Sequence, residues 1–249
     1  MQKVVLIVQA RMGSKRLPGK SLLNLAGETL VGRILQRVKR CTKINQIVLA
    51  IPDNKENEIL EKIGEKFNVF VYKGSEDNLL ERYFKAATFT SADYIVRLPA
   101  DNAAPEPIEI DKIIDHHVKL GRPGFSSNLS SFFESGYPDG IGAEIFDFHL
   151  LEEVYKKEKN KVKQEHIHLN FFDYSKEQPV DINWCPISTI KCPKEYRRPD
   201  IILDINTYEQ YIFMRELYEY LYCKNPNFSI IDIIDWYDNV FKRISNYSD

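Results

Sequence analysis

The sequence predicts an α/β fold, with a mostly parallel, doubly wound central sheet, in one domain over residues 1–249 whose second half is elaborated. Three observations carry that expectation. Apolar runs of strand length alternate with amphipathic helical stretches through residues 1–120, the order that builds βα units. The runs are nearly continuous in Val, Ile and Leu, as in strands covered on both faces. Several runs also end in short segments rich in Gly, Ser, Pro and charge, at the carboxyl edge where such sheets bind ligands.

In chain order, "VVLIVQ" reads as the first strand. "SLLNLAGETL" reads as a short extended piece with a turn at Gly27, and the first amphipathic helix begins near Thr29 in "TLVGRILQRVKR". Then come "QIVLAIP" as strand, "NEILEKIGEKF" as helix, "VFVYKG" as strand, "NLLERYFKAATF" as helix, "DYIVRLPAD" as strand and "EIDKIIDHHVK" as helix. Arg11 to Lys20, Lys73 to Asp77 and Pro99 to Asp101 would therefore emerge at one crevice. After Gly121 the alternation relaxes. "FSSNLS", "GAEIF" and "VDINWCPISTI" read as strands, "FHLLEEVYKKEK" and "KVKQEHIHLNFF" as helices, and "YEQYIFMRELYEYLY" as a long helix whose aromatic stripe suits a core. No internal repeat or low-complexity linker interrupts the chain.

The overall balance is near neutral, with 34 Lys+Arg against 36 Asp+Glu and a formal net charge of -2. That argues against a nucleic-acid binder, which shows a broad basic face. No apolar run approaches the ~20 residues needed to span a membrane, and "MQKVVLIVQARMG" is too short in its apolar part for a signal peptide. A cytoplasmic protein is expected. Cys41, Cys185, Cys192 and Cys223 form no CxxC pair, so reduced thiols are expected rather than disulfides or zinc.

Charge is nevertheless concentrated locally. Residues 1–27 hold Lys3, Arg11, Lys15, Arg16 and Lys20 with no Asp or Glu. The stretch "QARMGSKRLPGKS" invites comparison with the Walker A loop because it ends in Gly19, Lys20 and Ser21. The spacing fails: Gly13 is one residue too far upstream, Ser14 stands at the glycine position, and Pro18 lacks the N–H that such a loop offers. A solvated basic loop is the competing explanation. Cations interleaved with loop-shaping Gly13, Ser14, Pro18 and Gly19 point instead to a polyanion site of another kind.

"IVQARMGSKRLPGKSLLNLAGETLVGRIL" resembles the opening signature of cytidylyltransferases related to CMP-3-deoxy-manno-octulosonate synthetase, and most of all the spore-coat polysaccharide biosynthesis protein F branch. "KGSEDNLLERYFKAA", "YIVRLPADN", "YPDGIGAEIF", "KQEHIHL" and "RRPDIILDINTYEQYIFMRELYEYL" resemble further blocks of that branch in the same order, to about Tyr222. The resemblance implies a Rossmann-like nucleotide-diphosphosugar-transferase fold, CTP as co-substrate, and a divalent metal, Mg²⁺ or Mn²⁺. It also implies transfer of CMP to a sugar or related small anionic acceptor, with release of pyrophosphate, for surface polysaccharide assembly. By motif position Arg11, Ser14, Arg16 and Lys20 would contact the triphosphate on a loop that includes Ala10 and Gly13, with Lys20, Arg11 and Asp101 catalytic. Asp101 and Asp204 would hold the metal. Residues 1–120 would form the nucleotide-binding half, and residues 121–249 the half for acceptor binding and dimerisation. Attack at an α-phosphorus builds charge on nonbridging oxygens and on departing pyrophosphate, so Lys/Arg donors and a divalent cation suit the chemistry on independent grounds.

Two departures from the family pattern stand out. "LPADNAAPEP" replaces a "TGDCP"-like segment while keeping Asp101, and "GAE" replaces "DxE", keeping Glu144 without an acidic companion at Gly142. Both bear on the acceptor pocket.

Other constellations have competing explanations. Glu165, His166 and His168 offer metal-ligand chemistry without zincin spacing; acceptor contact by Glu165 and His166 stands beside a structural role and a zinc site. His116 and His117 end a helix, where the dipole favours them. Ser75 and Asp77 suit a helix cap, and Ser75, with Arg82 behind it, also suits a cytosine-reading loop. Tyr137, Asp139 and Gly140 suit either a plain turn or an acceptor loop. "YIVRLPAD" and "DIILDIN" both read as apolar strands that deliver Asp101 and Asp204 at their carboxyl ends, although each aspartate also precedes a helical stretch and could be a cap alone.

Alternative functions are a nucleotidyltransferase for another base or a sugar 1-phosphate, a catalytically silent nucleotide-binding subunit, and a glycosyltransferase. The last would show a DxD motif where "ADN" stands. Members of the family often pair, and the aromatic C-terminal helix would serve as the interface of a homodimer.

Overall fold

The computed structural model describes residues 2–129, 132–133 and 135–242. The first strand, β1 (Val4–Gln9), buries Val5 to Val8 completely. Its alternate side chains enter two separate cores: Leu6 and Val8 pack in one, Val5 and Ile7 in the other. The continuous apolar run is thus the mark of a central strand covered on both sides.

A hairpin of β2 (Asn24–Leu25) and β3 (Glu28–Thr29) follows, turning through Ala26 at φ 51° and Gly27 at φ 88°. The elements then run α1 (Leu30–Val38), β4 (Gln46–Pro52), α2 (Glu58–Lys66), β5 (Phe70–Gly74), α3 (Leu79–Phe89), β6 (Tyr94–Pro99) and α4 (Pro107–Lys119). In the second half come β7 (Phe125–Ser127), β8 (Glu144–Asp147), α5 (Phe148–Lys157), α6 (Lys161–Glu165), β9 (Phe172–Asp173), β10 (Gln178–Pro179), β11 (Ile187–Ser188), α7 (Tyr208–Tyr222) and α8 (Ile230–Trp236).

Seven strands form the central sheet in the order β11-β7-β8-β6-β1-β4-β5. All neighbours are parallel except those of β8, which runs antiparallel to both β6 and β7. One face is covered by α1, α2, α4, α7 and α8, through residues such as Ile34, Leu60, Ile110, Leu217 and Ile233. The other face is covered by α3 and α5, through Leu80, Tyr83, Leu150 and Leu151. The aromatic stripe of α7 is core, as Met214, Leu217, Tyr218 and Leu221 are buried.

Three expectations are corrected. "VDINWCPISTI" is mostly a turn: Asp181 Oδ1 accepts from the N–H groups of Asn183 and Trp184, and only β11 pairs. "KVKQEHIHLNFF" is not one helix, because the chain leaves α6 at His166 (φ -116°) and makes a 3₁₀ turn over Ile167–Asn170. There the Asn170 amide donates to the carbonyls of Lys163 and Ile167, competing with helical pairing. "FSSNLS" forms a strand only over Phe125–Ser127, and Ser130 lies outside the described residues. Among the described residues no helix is long and apolar enough to cross a membrane.

Candidate active site

The cleft lies at the carboxyl edge of β1 and β6, where Gln9 and Pro99 end adjacent parallel strands in register. Loops after β1, β5 and β6 converge there on a cavity of about 680 Å³. Residues 10–20 are shaped by local bonds. The Met12 carbonyl accepts from the N–H groups of Ser14 and Gly19, Met12 N–H donates to Asn57, and Ser21 Oγ donates to the Arg11 carbonyl. Gly19, at φ 70°, supplies the left-handed step that turns Lys20 inward.

Lys20 Nζ then meets three acceptors: Asp101 Oδ2 at 3.0 Å, the Ile205 carbonyl at 3.0 Å and Asn206 Oδ1 at 3.1 Å. Arg16 reaches the same Asn206 at 2.8 Å. Arg11 crosses the cleft to Glu165 at 3.2 Å, with both side chains exposed enough to exchange partners. The cation loop is therefore tied at its end to the carboxylates and at its middle to the second half of the chain.

Asp204 is delivered differently from the expected sheet strand. Ile201 to Ile205 run extended, and Leu203 N–H donates to the Asp139 carbonyl while Ile205 N–H donates to that of Asp101. Only isolated bridges, Asn102 to Asp204 and Asp139 to Ile202, hold the segment. Gly140, at φ 86°, packs so closely that an added Cβ would lie 2.6 Å from Asp204 Oδ1. Three carboxylates, Asp101, Asp139 and Asp204, consequently line one wall. Among the described residues, Asp204 Oδ1 is enclosed without a hydrogen-bond partner. Burial, with Asp139 and Asp101 beside it, pushes the Asp204 carboxyl well above the usual carboxylate range, against the opposing effect of Lys20 and Arg16.

Neither aspartate is a helix cap. Glu106 holds the N-cap position of α4, and α7 is capped by Thr207 in a reciprocal capping box with Gln210. The caps-only explanation for Asp101 and Asp204 is removed.

An orphaned, charge-crowded oxygen beside a second carboxylate fits a hard divalent cation, which is bound through one or two carboxylates with phosphate and water completing its shell. Among the described residues no three His, Cys, Asp or Glu side chains are placed to hold a metal by themselves. That applies equally to Glu165, His166 and His168.

Of the residues singled out from the sequence, Ala10, Arg11, Ser14, Arg16, Lys20, Asp101, Asp139, Glu144, Glu165, His166 and Asp204 line this one cavity. Others stand elsewhere. Tyr137 is fully buried, its hydroxyl donating to Glu109 at 2.5 Å, so it is a core residue and no acceptor contact. Ser75 lies off the cavity wall, with its Oγ accepting from Asn78 N–H. Asn78, not Ser75 or Asp77, caps α3 by accepting from Glu81 N–H. Gly13 is exposed and does not line the cavity, though an added Cβ there would sit 3.6 Å from Oε1 of Glu76, which does. Lys73 pairs with Glu61 at 3.1 Å, away from the cleft.

Glu144 lies on the cavity floor, 1 % exposed, accepting from Arg97 and, at 2.8 Å, from Tyr174. The absent acidic companion at Gly142 has a steric reason, since a Cβ there would lie 2.6 Å from the Asn128 carbonyl oxygen.

Sequence reasoning missed Gln9, Arg97, Tyr174 and Asn206 as wall residues and weighed His168 only as a possible metal ligand. Arg97 carried a signal: it is the only charge in the apolar run "YIVRLP", and a lone guanidinium in a central strand needs a partner. Tyr174 carried none, because its segment has no strand or helix period.

Comparison with known proteins agrees with this geometry. The family model described as "Cytidylyltransferase" matches residues 5–238. The spore coat polysaccharide biosynthesis protein SpsF of Bacillus subtilis is 29% identical over 224 residues, covering 88% of each chain. The 3-deoxy-manno-octulosonate cytidylyltransferase of Trichlorobacter lovleyi is 27% identical over 122 residues, covering 49% of this chain and 47% of its own. The structure of a cytidylyltransferase from Leptospira borgpetersenii superposes with a TM-score of 0.82 at 29% identity, over 98% of this chain and 96% of that one. The chain belongs to the cytidylyltransferase family and is a nucleotidyltransferase.

Proposed function

We propose that this cleft transfers CMP from CTP to a sugar or related small anionic acceptor, releasing pyrophosphate, in the assembly of a surface polysaccharide. The observation that carries the reading is the placement of Lys20. Its ammonium stands at the junction of the cation loop and the carboxylate wall, 3.0 Å from Asp101. A phosphoryl group at that junction would have Lys20 beside its nonbridging oxygens.

In this reading residues 1–120 hold the nucleotide and residues 121–249 hold the acceptor. Arg11, Lys15 and Arg16 line the cavity with Lys20 and neutralise the triphosphate. Arg11 exchanges Glu165 for phosphate as the nucleotide enters. Lys20 and Arg11 stabilise charge that grows on the α-phosphoryl oxygens and on departing pyrophosphate, the kind of preorganised donor that accelerates such transfers. Asp101 and Asp204 would hold Mg²⁺ or Mn²⁺, which supplies charge neutralisation between phosphates when bound. Asp139, Glu165 and His166 face the acceptor side, and Asp139 is placed to orient the attacking hydroxyl. Arg82, 3% exposed on the cavity wall with its Nη1 donating to the Ser75 carbonyl, takes over from Ser75 as the candidate base contact.

The same reading places the enzyme in the cytoplasm, with its CTP supply. Tyr208 and Tyr220, exposed on α7, support pairing of two copies through that helix.

Pyrophosphate release tests the reading. With Mg²⁺ present, the four ribonucleoside triphosphates are compared against a panel of 3-deoxy-ulosonic acids, sugar phosphates and other small phosphates. Turnover should require CTP and one acceptor class; comparable rates with UTP or GTP contradict it.

A further inference from the structure

We infer that the Arg97–Glu144 pair, with His168 and Tyr174, is a subsite for hydroxyl groups of the acceptor, selecting a neutral polyhydroxylated portion of that molecule rather than its charged group. The inference rests on the proposed reading only in that the acceptor enters this cavity.

Arg97 on β6 and Glu144 on β8 are direct cross-strand neighbours, so the register of the antiparallel pair fixes their ion pair. Their charges cancel at the cavity floor. Tyr174 donates its hydroxyl to the other carboxylate oxygen at 2.8 Å, and the His168 ring stands edge-on to Tyr174 at 5.1 Å. All four residues line the cavity.

Two polar atoms of this group are left over. Among the described residues, Arg97 Nε and His168 Nδ1 both lack a hydrogen-bond partner. An unmet buried polar atom is costly, so two on one cavity wall suit partners supplied by a bound molecule. Arg97 Nε can only donate. His168 is neutral, because burial pushes its pKa down to about 4 although Glu144 opposes the shift; its unpaired ring nitrogen donates or accepts according to tautomer. A hydroxyl both donates and accepts, and so satisfies either atom.

A carboxylate or phosphate would serve Arg97 Nε alone, and it would meet the Glu144 carboxylate, whose ionised form Arg97 and Tyr174 stabilise against its burial. Anionic groups have a better place among Arg11, Lys15, Arg16 and Lys20, which line the same cavity. The division of labour follows from charge: the cation loop takes the anions, and the neutralised pair takes the hydroxyls.

The test uses saturation-transfer NMR on the full chain with D-mannose, D-galactose and D-ribose as neutral probes, and acetate and inorganic phosphate as competitors. At least one sugar should receive saturation, unaffected by either anion. His168→Phe or Tyr174→Phe, each of which leaves the ion pair in place, should weaken that binding by about ten-fold, the scale of one lost hydrogen bond. Tyr174→Phe loses a single oxygen and answers the question should His168→Phe fail to fold. Calorimetric CTP binding should be unchanged in both variants. Absence of transfer to all three sugars, displacement by acetate or phosphate, or unchanged binding in the variants overturns the inference. Sugar binding of the expected kind without CTP-dependent pyrophosphate release would instead sink the proposed function and leave this subsite standing.

Discussion

The two halves of the chain reach the same cleft by different means. In residues 1–120, parallel strands and their covering helices repeat a local rule, and Arg11, Lys20 and Asp101 follow from where β1 and β6 end. In residues 121–242 the contributions depend on contacts distant in sequence: Asp204, on an extended segment outside the sheet, by bridges to Asn102 and close packing on Gly140, Glu144 on β8 by Arg97, and Glu165 at the end of α6 by Arg11. The difference teaches that the first half supplies a frame with much redundancy. The second half supplies groups that each hang on one or two contacts.

That contrast predicts a graded series. The largest stability loss should come from Glu144→Ala, which strands the 6% exposed Arg97 guanidinium without its counter-ion. Breaking one side of a buried pair costs about 3–5 kcal/mol, measurable by urea unfolding, and a loss below 1 kcal/mol would show that water replaces the carboxylate with ease. Gly140→Ala comes next. Its φ of 86°, and the 2.6 Å at which the added Cβ would meet Asp204 Oδ1, predict a loss of about 1–3 kcal/mol with impaired turnover. Unchanged turnover would break the claim that Asp204 depends on this close approach. The smallest effect belongs to the first half. Thr29 Oγ1 caps α1 by accepting from Gly32 N–H at 3.1 Å, so Thr29→Ala should cost about 1 kcal/mol and leave kcat alone. A kcat change there would mean that the frame is less redundant than its regularity implies.

The same contrast explains what the sequence disclosed. β1, β4 and β6 were legible because burial on both faces leaves an apolar run with no polar alternation, and the loop from Arg11 to Lys20 was legible because five cations stand free of acidic residues through Gly27. Asp101 follows from its strand. Asp204 was found by motif but assigned to a strand, since Ile201, Leu203 and Ile205 are buried in alternation as they would be in a sheet. Backbone bonds to Asp101 and Asp139 do that work without a ladder. Tyr137 was misplaced because its turn residues locate the loop and say nothing of which way the ring faces; pairing with Glu109 took it into the core. Arg97 was overlooked although a single charge inside "YIVRLP" marks a position that must be paired. Tyr174 and His168 depend on the break at His166, which the helical pattern of "KVKQEHIHL" conceals.

The central claim is that Lys20, Asp101 and Asp204 form the reacting centre rather than a structural clasp, and Asp204→Asn tests it most directly. The exchange keeps shape and hydrogen-bonding capacity, and Asp204 caps no helix. What changes is the charge available to a divalent cation, since a neutral amide is a poor substitute for a carboxylate there. With CTP, Mg²⁺ and the acceptor found in the panel, the variant should unfold at the parent's urea midpoint or above it, because a crowded, buried negative charge has been removed. Its kcat should fall by about 10²-fold or more, the scale of losing one preorganised electrostatic group, with partial recovery in Mn²⁺. A variant that turns over at the parent's rate in Mg²⁺ would contradict the assignment and leave Asp204 a structural residue.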